Sequence, residues 1–70
     1  MASVYKIIEL VGSSEVSWED AAKSAVETAS KTLRELRIAE VDQLDMKLEN
    51  GKVTAYRARV KLSFKYEGGA

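Results

Sequence analysis

Hydrophobic residues recur along this chain in two different rhythms, and the switches between them divide it into four elements. Val4 to Val11 is rich in branched residues and runs into Gly12-Ser13-Ser14, which predicts a first strand ending in a turn. At Ser17-Trp18-Glu19-Asp20 the serine hydroxyl can accept from the amide of Asp20, and the acidic residues suit the positive end of a helix dipole, so a helix starts here. Trp18, Ala22, Ala25, Ala29, Leu33 and Leu36 then recur at steps of three and four, with Ala21, Val26 and Thr32 beside them. This predicts one apolar stripe on a helix of about 20 residues. The stripe is mostly alanine, which lets the helix approach a sheet closely.

After Arg37 the period becomes two. Ala39 and Val41 share a side, whereas Leu44, Met46 and Leu48 take the opposite parity, so a bulge or bend is expected around Asp42 and Gln43. Asn50-Gly51 is a hairpin signal because both residues tolerate positive φ. In the last strand Tyr56, Ala58, Val60, Leu62, Phe64 and Tyr66 lie on one side, and Arg57, Arg59, Lys61, Ser63 and Lys65 on the other. The parity of that strand also changes between Ala55 and Tyr56, which leaves the hairpin register open. Glu67-Gly68-Gly69-Ala70 reads as a frayed tail.

The order strand, helix, strand, strand implies an α+β domain. If the first two strands run parallel across the helical crossover, the third lies between them and pairs antiparallel with both, giving a three-stranded sheet of order 1-3-2. A strand of about 14 residues spans about 45 Å, while a helix of about 20 residues covers only ~30 Å. One helix therefore cannot roof the hairpin. The apolar surface and unpaired edges left over predict association with copies of the same chain.

Composition narrows the function. Seventy residues, 1–70, make one domain with a core too small for comfort on its own. With no cysteine there is no disulfide, thiol nucleophile, zinc ribbon or iron–sulfur cluster. With no histidine there is no Ser-His-Asp constellation, and the commonest general base near neutral pH is missing. Eleven lysines and arginines balance eleven acids, so the global field gives no reason to expect nucleic acid or an acidic membrane as partner. The opening MASVYKIIELVG carries Lys6 and Glu9 within its apolar run and reads as neither signal peptide nor membrane span, making a soluble, cytoplasmic protein the expectation.

Several residues are candidates for binding. Arg57, Arg59, Lys61 and Lys65 could hold a phosphorylated ligand, since arginine presents a planar fork to phosphate; alternatively they pair across strands with Asp45, Glu49 or Asp42. An enzyme acting on a phosphorylated small molecule through Arg57, Arg59 and Lys61 is the least favoured reading without histidine or cysteine. Asp42, Asp45 and Glu49, with Gln43 nearby, supply the hard oxygens that calcium or magnesium takes, at a spacing that matches no EF-hand loop, with Asp42 and Asp45 the candidate ligands; alternatively they are solvated or cross-strand-paired carboxylates. Copies of the chain could bring several of them around one ion. Trp18 is either a stacking surface for an aromatic ligand or a packing anchor. Gly12-Ser13-Ser14 is too short to count as a phosphate loop.

The segments Val4-Tyr5-Lys6, Glu9 to Ser14, Ser17-Trp18-Glu19, Ala29 to Arg34, Glu40-Val41, Gly51-Lys52-Val53 and Tyr56 together resemble the dodecins over nearly the whole chain. The resemblance implies a three-stranded antiparallel sheet wrapped partly around one helix, and a homododecamer built from trimers as a hollow shell. It also implies a binding and storage role toward riboflavin or FMN, bound as stacked pairs between subunits, rather than catalysis. The family pattern after the helix is Leu-Arg-Trp, an apolar residue and Glu-Val, with the tryptophan stacking on the flavin; here it reads Leu36-Arg37-Ile38-Ala39-Glu40-Val41. The usual Tyr-Gln, whose amide holds the polar edge of the ring, is Tyr56-Arg57. Gln43 stands where an acid usually meets the ribityl chain. Ile38, Gln43 and Arg57 are thus the positions equivalent to the flavin site, and the two replacements imply weakened or lost flavin binding. An aliphatic residue at position 38 together with Tyr56-Arg57 and Asp45-Met46 resembles a smaller branch of the family without that tryptophan, which includes calcium-binding members. The alternative is a conventional flavin-buffering member that tolerates Ile38 and Arg57.

Overall fold

Asn50 and Gly51 take φ of 52° and 76°, the paired positive values of a type I′ turn, and from this turn the two longest strands run back together. In a computed structural model that describes residues 2–66, the elements are β1 (Tyr5–Ser14), α1 (Trp18–Ala29), β2 (Leu36–Glu49) and β3 (Lys52–Lys65). β3 lies in the middle, antiparallel to both neighbours, so the sheet order is β1-β3-β2. This is the α+β arrangement expected from the chain order. The expected frayed tail from Glu67 lies outside the described residues.

The helix is shorter than its apolar stripe predicts. Ser17 caps it as expected, with extended backbone and its hydroxyl accepting from the Asp20 amide at 3.0 Å. It stops at Ala29 because Ser30 bonds back to the Glu27 carbonyl at 2.8 Å, while the amides of Lys31 and Thr32 reach carbonyls only three residues earlier. Glu35, at φ 62°, then turns the chain into β2. Leu33 and Leu36 still pack against the core, so the three-four spacing outlives the helical backbone. β1 also exceeds expectation: Gly12, Ser13 and Ser14 pair with Ala58, Arg57 and Tyr56 instead of turning.

Alternation decides which side meets the helix. Ala58, Val60 and Leu62 of β3 are buried against Ala21, Ala25 and Ala29 of α1, with Ile8 and Leu10 of β1 packed beside them. Contact with α1 falls mainly on β1 and β3 and hardly on β2. The approach is closest at Gly12, where a Cβ would sit on the Ala21 carbonyl and 3.1 Å from the Ala25 methyl. Gly12 therefore sets the depth at which the alanine stripe seats.

Twelve helical residues cover only about 18 Å, against roughly 48 Å of hairpin. On the helix side of β2, Val41, Leu44 and Met46 remain 49%, 49% and 45% exposed. The protomer is drawn out to 52 × 20 × 16 Å with a radius of gyration of 14.4 Å, where a compact chain of this length has about 11 Å. Its accessible surface of 5394 Å² exceeds the roughly 4300 Å² of a compact monomer of 7.7 kDa. Val60 and Leu62 are the only large side chains fully buried among the described residues.

Replacing Gly12 by alanine is expected to destabilise by about 1–3 kcal/mol through overpacking, lowering the melting temperature by about 5–20 °C. A melt within a degree of wild type would show that the helix does not seat on this glycine.

Candidate functional site

Three irregularities in the β2–β3 ladder decide which side chains meet. A bulge at Thr54, whose hydroxyl bonds the Lys47 carbonyl at 3.3 Å, shifts the register so that Asp45 faces Arg57 rather than Tyr56. The expected slip near Asp42 is present, with Asp42 unpaired between the Val41–Val60 and Gln43–Arg59 pairs. A third shift, at Arg37, sets Ile38 opposite Ser63.

Arg57 donates from Nε and Nη2 to the two carboxylate oxygens of Asp45 at 2.7 and 2.8 Å. Both side chains are nearly half exposed, and solvent screens the pair. Its geometry is nevertheless the bidentate one that fixes both partners. The hydrogen bonds from Arg57 hold the Asp45 carboxyl below its ordinary range, with desolvation opposing and the charges of Arg57 and Arg59 assisting. Asp45 in turn pushes Arg57 further up. Asp42 lies 3.7 Å from the Lys61 ammonium. The cross-strand pairing read as one alternative from the sequence is thus formed for Arg57 and Lys61.

Asp45 also ties the sheet to the helix, because its carbonyl accepts from the Trp18 indole at 3.0 Å. Trp18 meets Tyr56 edge-on, centroids 5.2 Å apart at 71°, and so serves as an anchor for the first turn of α1. Beyond it the uncovered part of β2 forms the floor of an open apolar crevice of about 540 Å³, lined by Trp18, Glu19, Ala22, Val41 and Leu44.

The residues singled out from the sequence do not all converge within one protomer. Asp42, Gln43, Asp45 and Arg57 lie along one stretch of the hairpin. Ile38 is 65% exposed and stands opposite Ser63, six residues along β3 from Arg57, roughly 20 Å away. A pocket using both needs more than one copy. Asp42 and Asp45 bring hard oxygens of the right kind for calcium or magnesium, yet no group of three acidic side chains that could hold a metal occurs among the described residues. The Trp18–Asp45 link and the crevice beside it escape sequence reasoning, because both depend on where the short helix crosses the hairpin.

The arrangement defines a class: a small α+β protomer that carries much of its apolar surface outside and two cross-strand ion pairs along its hairpin. Comparison with known proteins places that class. The dodecin family model matches residues 4–67. The chain is 44% identical to calcium dodecin of Mycobacterium tuberculosis over 90% of this chain and 89% of that one, and 37% identical to dodecin of Thermus thermophilus over 96% and 97%. The solved structure of dodecin from Streptomyces coelicolor superposes with a TM-score of 0.89 at 36% identity, covering 96% of each chain. The crystal structure of the M. tuberculosis calcium dodecin superposes with a TM-score of 0.82, covering 97% of each. The chain belongs to the dodecin family. Among the described residues no helix is long and apolar enough to cross a membrane.

The ion pair fixes a pH dependence. Because the folded Asp45 carboxyl titrates below its unfolded value near 4, its contribution is fully present above about pH 4 and is lost as pH falls through the lower folded value. Asp45→Asn should melt below wild type at pH 7, and the gap should close as both are acidified toward pH 2. A gap that persists unchanged in acid would show that the pair does not act through charge.

Proposed function

We propose that this protein is a non-enzymatic small-ligand and ion-binding dodecin, assembled from trimers as a hollow shell of twelve copies, in which flavin binding is weakened or lost. The observation that carries the reading is the state of the two positions equivalent to the family's flavin contacts. Ile38 offers an aliphatic side chain where the ring would stack, and Arg57, standing where the amide would hydrogen-bond, is already engaged by Asp45. Stacking is worth about 0.5–1.5 kcal/mol beyond burial, and a lost hydrogen-bond partner costs about 1–3 kcal/mol. Together they reduce flavin affinity roughly 10- to 2000-fold. Gln43, exposed on β2, still offers an amide to the ligand.

Calcium is the second ligand this reading includes. The M. tuberculosis relative is described as a calcium-chelating antigen with a novel calcium-binding site. Here Asp42 and Asp45 are the acids proposed to take part. Both Asp45 oxygens are used by Arg57 within one protomer, so a site for calcium or magnesium requires oxygens from neighbouring copies. The shell supplies them, and it also covers the exposed strip of Val41, Leu44 and Met46.

The reading predicts that riboflavin added to micromolar protein keeps most of its fluorescence, and that Ile38→Trp combined with Arg57→Gln restores quenching; strong quenching by the wild type would favour the conventional flavin-storing alternative. Calcium should raise the melting temperature, with the rise absent in Asp42→Asn/Asp45→Asn; an identical melt with calcium and with chelator would eliminate the ion. Leu44→Glu should convert the assembly to smaller species in sedimentation, and an intact twelve-copy particle would move the interface elsewhere.

A further inference from the structure

The tip of the β2–β3 hairpin carries the chain's one asparagine, Asn50, directly before Gly51. Asparagine is thermally labile, and most so before glycine, where no side chain hinders the following main-chain nitrogen. Both residues are exposed, and nothing lies within 4 Å of the place a Cβ on Gly51 would occupy. The ladder closes at the Glu49–Lys52 pair. Neither the Asn50 carboxamide nor the Gly51 N–H has a hydrogen-bond partner among the described residues. Chemically the pair is open, yet the backbone holds its reacting atoms apart. Asn50 is left-handed, with φ 52°, a conformation in which ψ lies near +47°. Closing a five-membered ring from the Gly51 nitrogen to the Asn50 Cγ requires that nitrogen to eclipse Cβ about the Cα–C bond. The left-handed conformation sets it almost opposite Cβ. The closed turn therefore protects the asparagine, and an opened one exposes it.

We infer that Asn50 is a self-modifying site, converting to aspartate or isoaspartate at a rate gated by local opening of the β2–β3 turn. In the opened turn the Gly51 nitrogen gives its proton to base and attacks Cγ of Asn50. The N–Cγ bond forms, the Cγ–Nδ2 bond breaks, and Nδ2 takes up a proton and leaves as ammonia. Water then adds across one of the two C–N bonds of the resulting imide. Opening at Cγ yields aspartate; opening at the main-chain carbonyl yields isoaspartate, with the chain continuing through Cβ. Water enters and ammonia leaves, so no oxidant or reductant is needed. The two products differ in what they do to the hairpin. Asp-Gly is itself a type I′ pair, so aspartate keeps the turn and adds one negative charge to a chain whose charges balance. Isoaspartate adds a main-chain methylene that the two-residue loop between Glu49 and Lys52 has no slack to absorb, and the tip cannot close as before. Each conversion thus records an opening of the tip irreversibly.

The test is mass spectrometry of the full-length assembly aged at mildly alkaline pH, beside the same chain held unfolded in urea. The peptide carrying Asn50 should gain one mass unit, and an isoaspartyl methyltransferase with labelled S-adenosylmethionine should label it. The native rate should fall below the unfolded one by about 10- to 100-fold, as local opening allows. Equal native and unfolded rates would mean that the turn gives no protection. A slowing beyond about 1000-fold, the least that global unfolding imposes, would mean that the tip does not open on its own. Either result overturns the inference. Asn50→Gly, which keeps a type I′ pair, should lose both the mass gain and the label while melting close to wild type; label persisting in this variant places the reaction at another residue and overturns the site. Freshly prepared Asn50→Asp should also melt close to wild type, and the aged, labelled fraction should melt below both.

Discussion

Seating a twelve-residue helix on a sheet of fourteen-residue strands is the constraint on which the other features depend. The seat is shallow and close, made by alanines over Gly12 and over Ala58, Val60 and Leu62. Closeness gives good contact for small side chains, but it buries few large ones. A chain of this size gains too little from such a core to leave the rest of its apolar surface in water comfortably. The helix leans over β1 and β3, and β2 is left with Val41, Leu44 and Met46 open to solvent on the helix side. Cover for that strip has to come from outside the protomer, and Ile38 and Arg57 stand about 20 Å apart along the hairpin, too far to line one pocket within it.

Asp45 links the two faces of the sheet. Its carbonyl receives the Trp18 indole on the helix side, and its carboxylate receives Arg57 on the other. Anchoring the helix N-terminus and orienting a surface guanidinium are therefore done by one residue of β2. Neither contact is worth much alone at this exposure. Their value is in fixing geometry: the Arg57 contact depends on the carboxylate at position 45, whereas the Trp18 contact uses the main-chain carbonyl and survives substitution there.

The proposed reading rests on the side chains that a shared scaffold presents. Family membership and the superposition on dodecin structures establish the scaffold, and the side chains at 38, 43 and 57 are the ones on which the proposal rests. Position 38 presents an exposed aliphatic side chain, and the arginine at 57 brings a charge whose first partner is its own cross-strand neighbour.

The hydrophobic rhythm was enough for the element order, the Ser17 cap, the Asn50-Gly51 turn, the slip at Asp42 and the strand order, because each is set by local backbone preference or by the rule that a helical crossover joins parallel strands. It was not enough for the helix end, where Leu33 and Leu36 keep the spacing of a helix the backbone has already left. Nor did it decide which residue faces Asp45. A two-residue turn alone would oppose Asp45 to Tyr56, and the one extra residue at Thr54 moves it to Arg57. Side chains alternate with a period of two, so a single inserted residue changes every cross-strand partner beyond it; the parity change between Ala55 and Tyr56 signals an irregularity, but its position is fixed by how the whole hairpin packs.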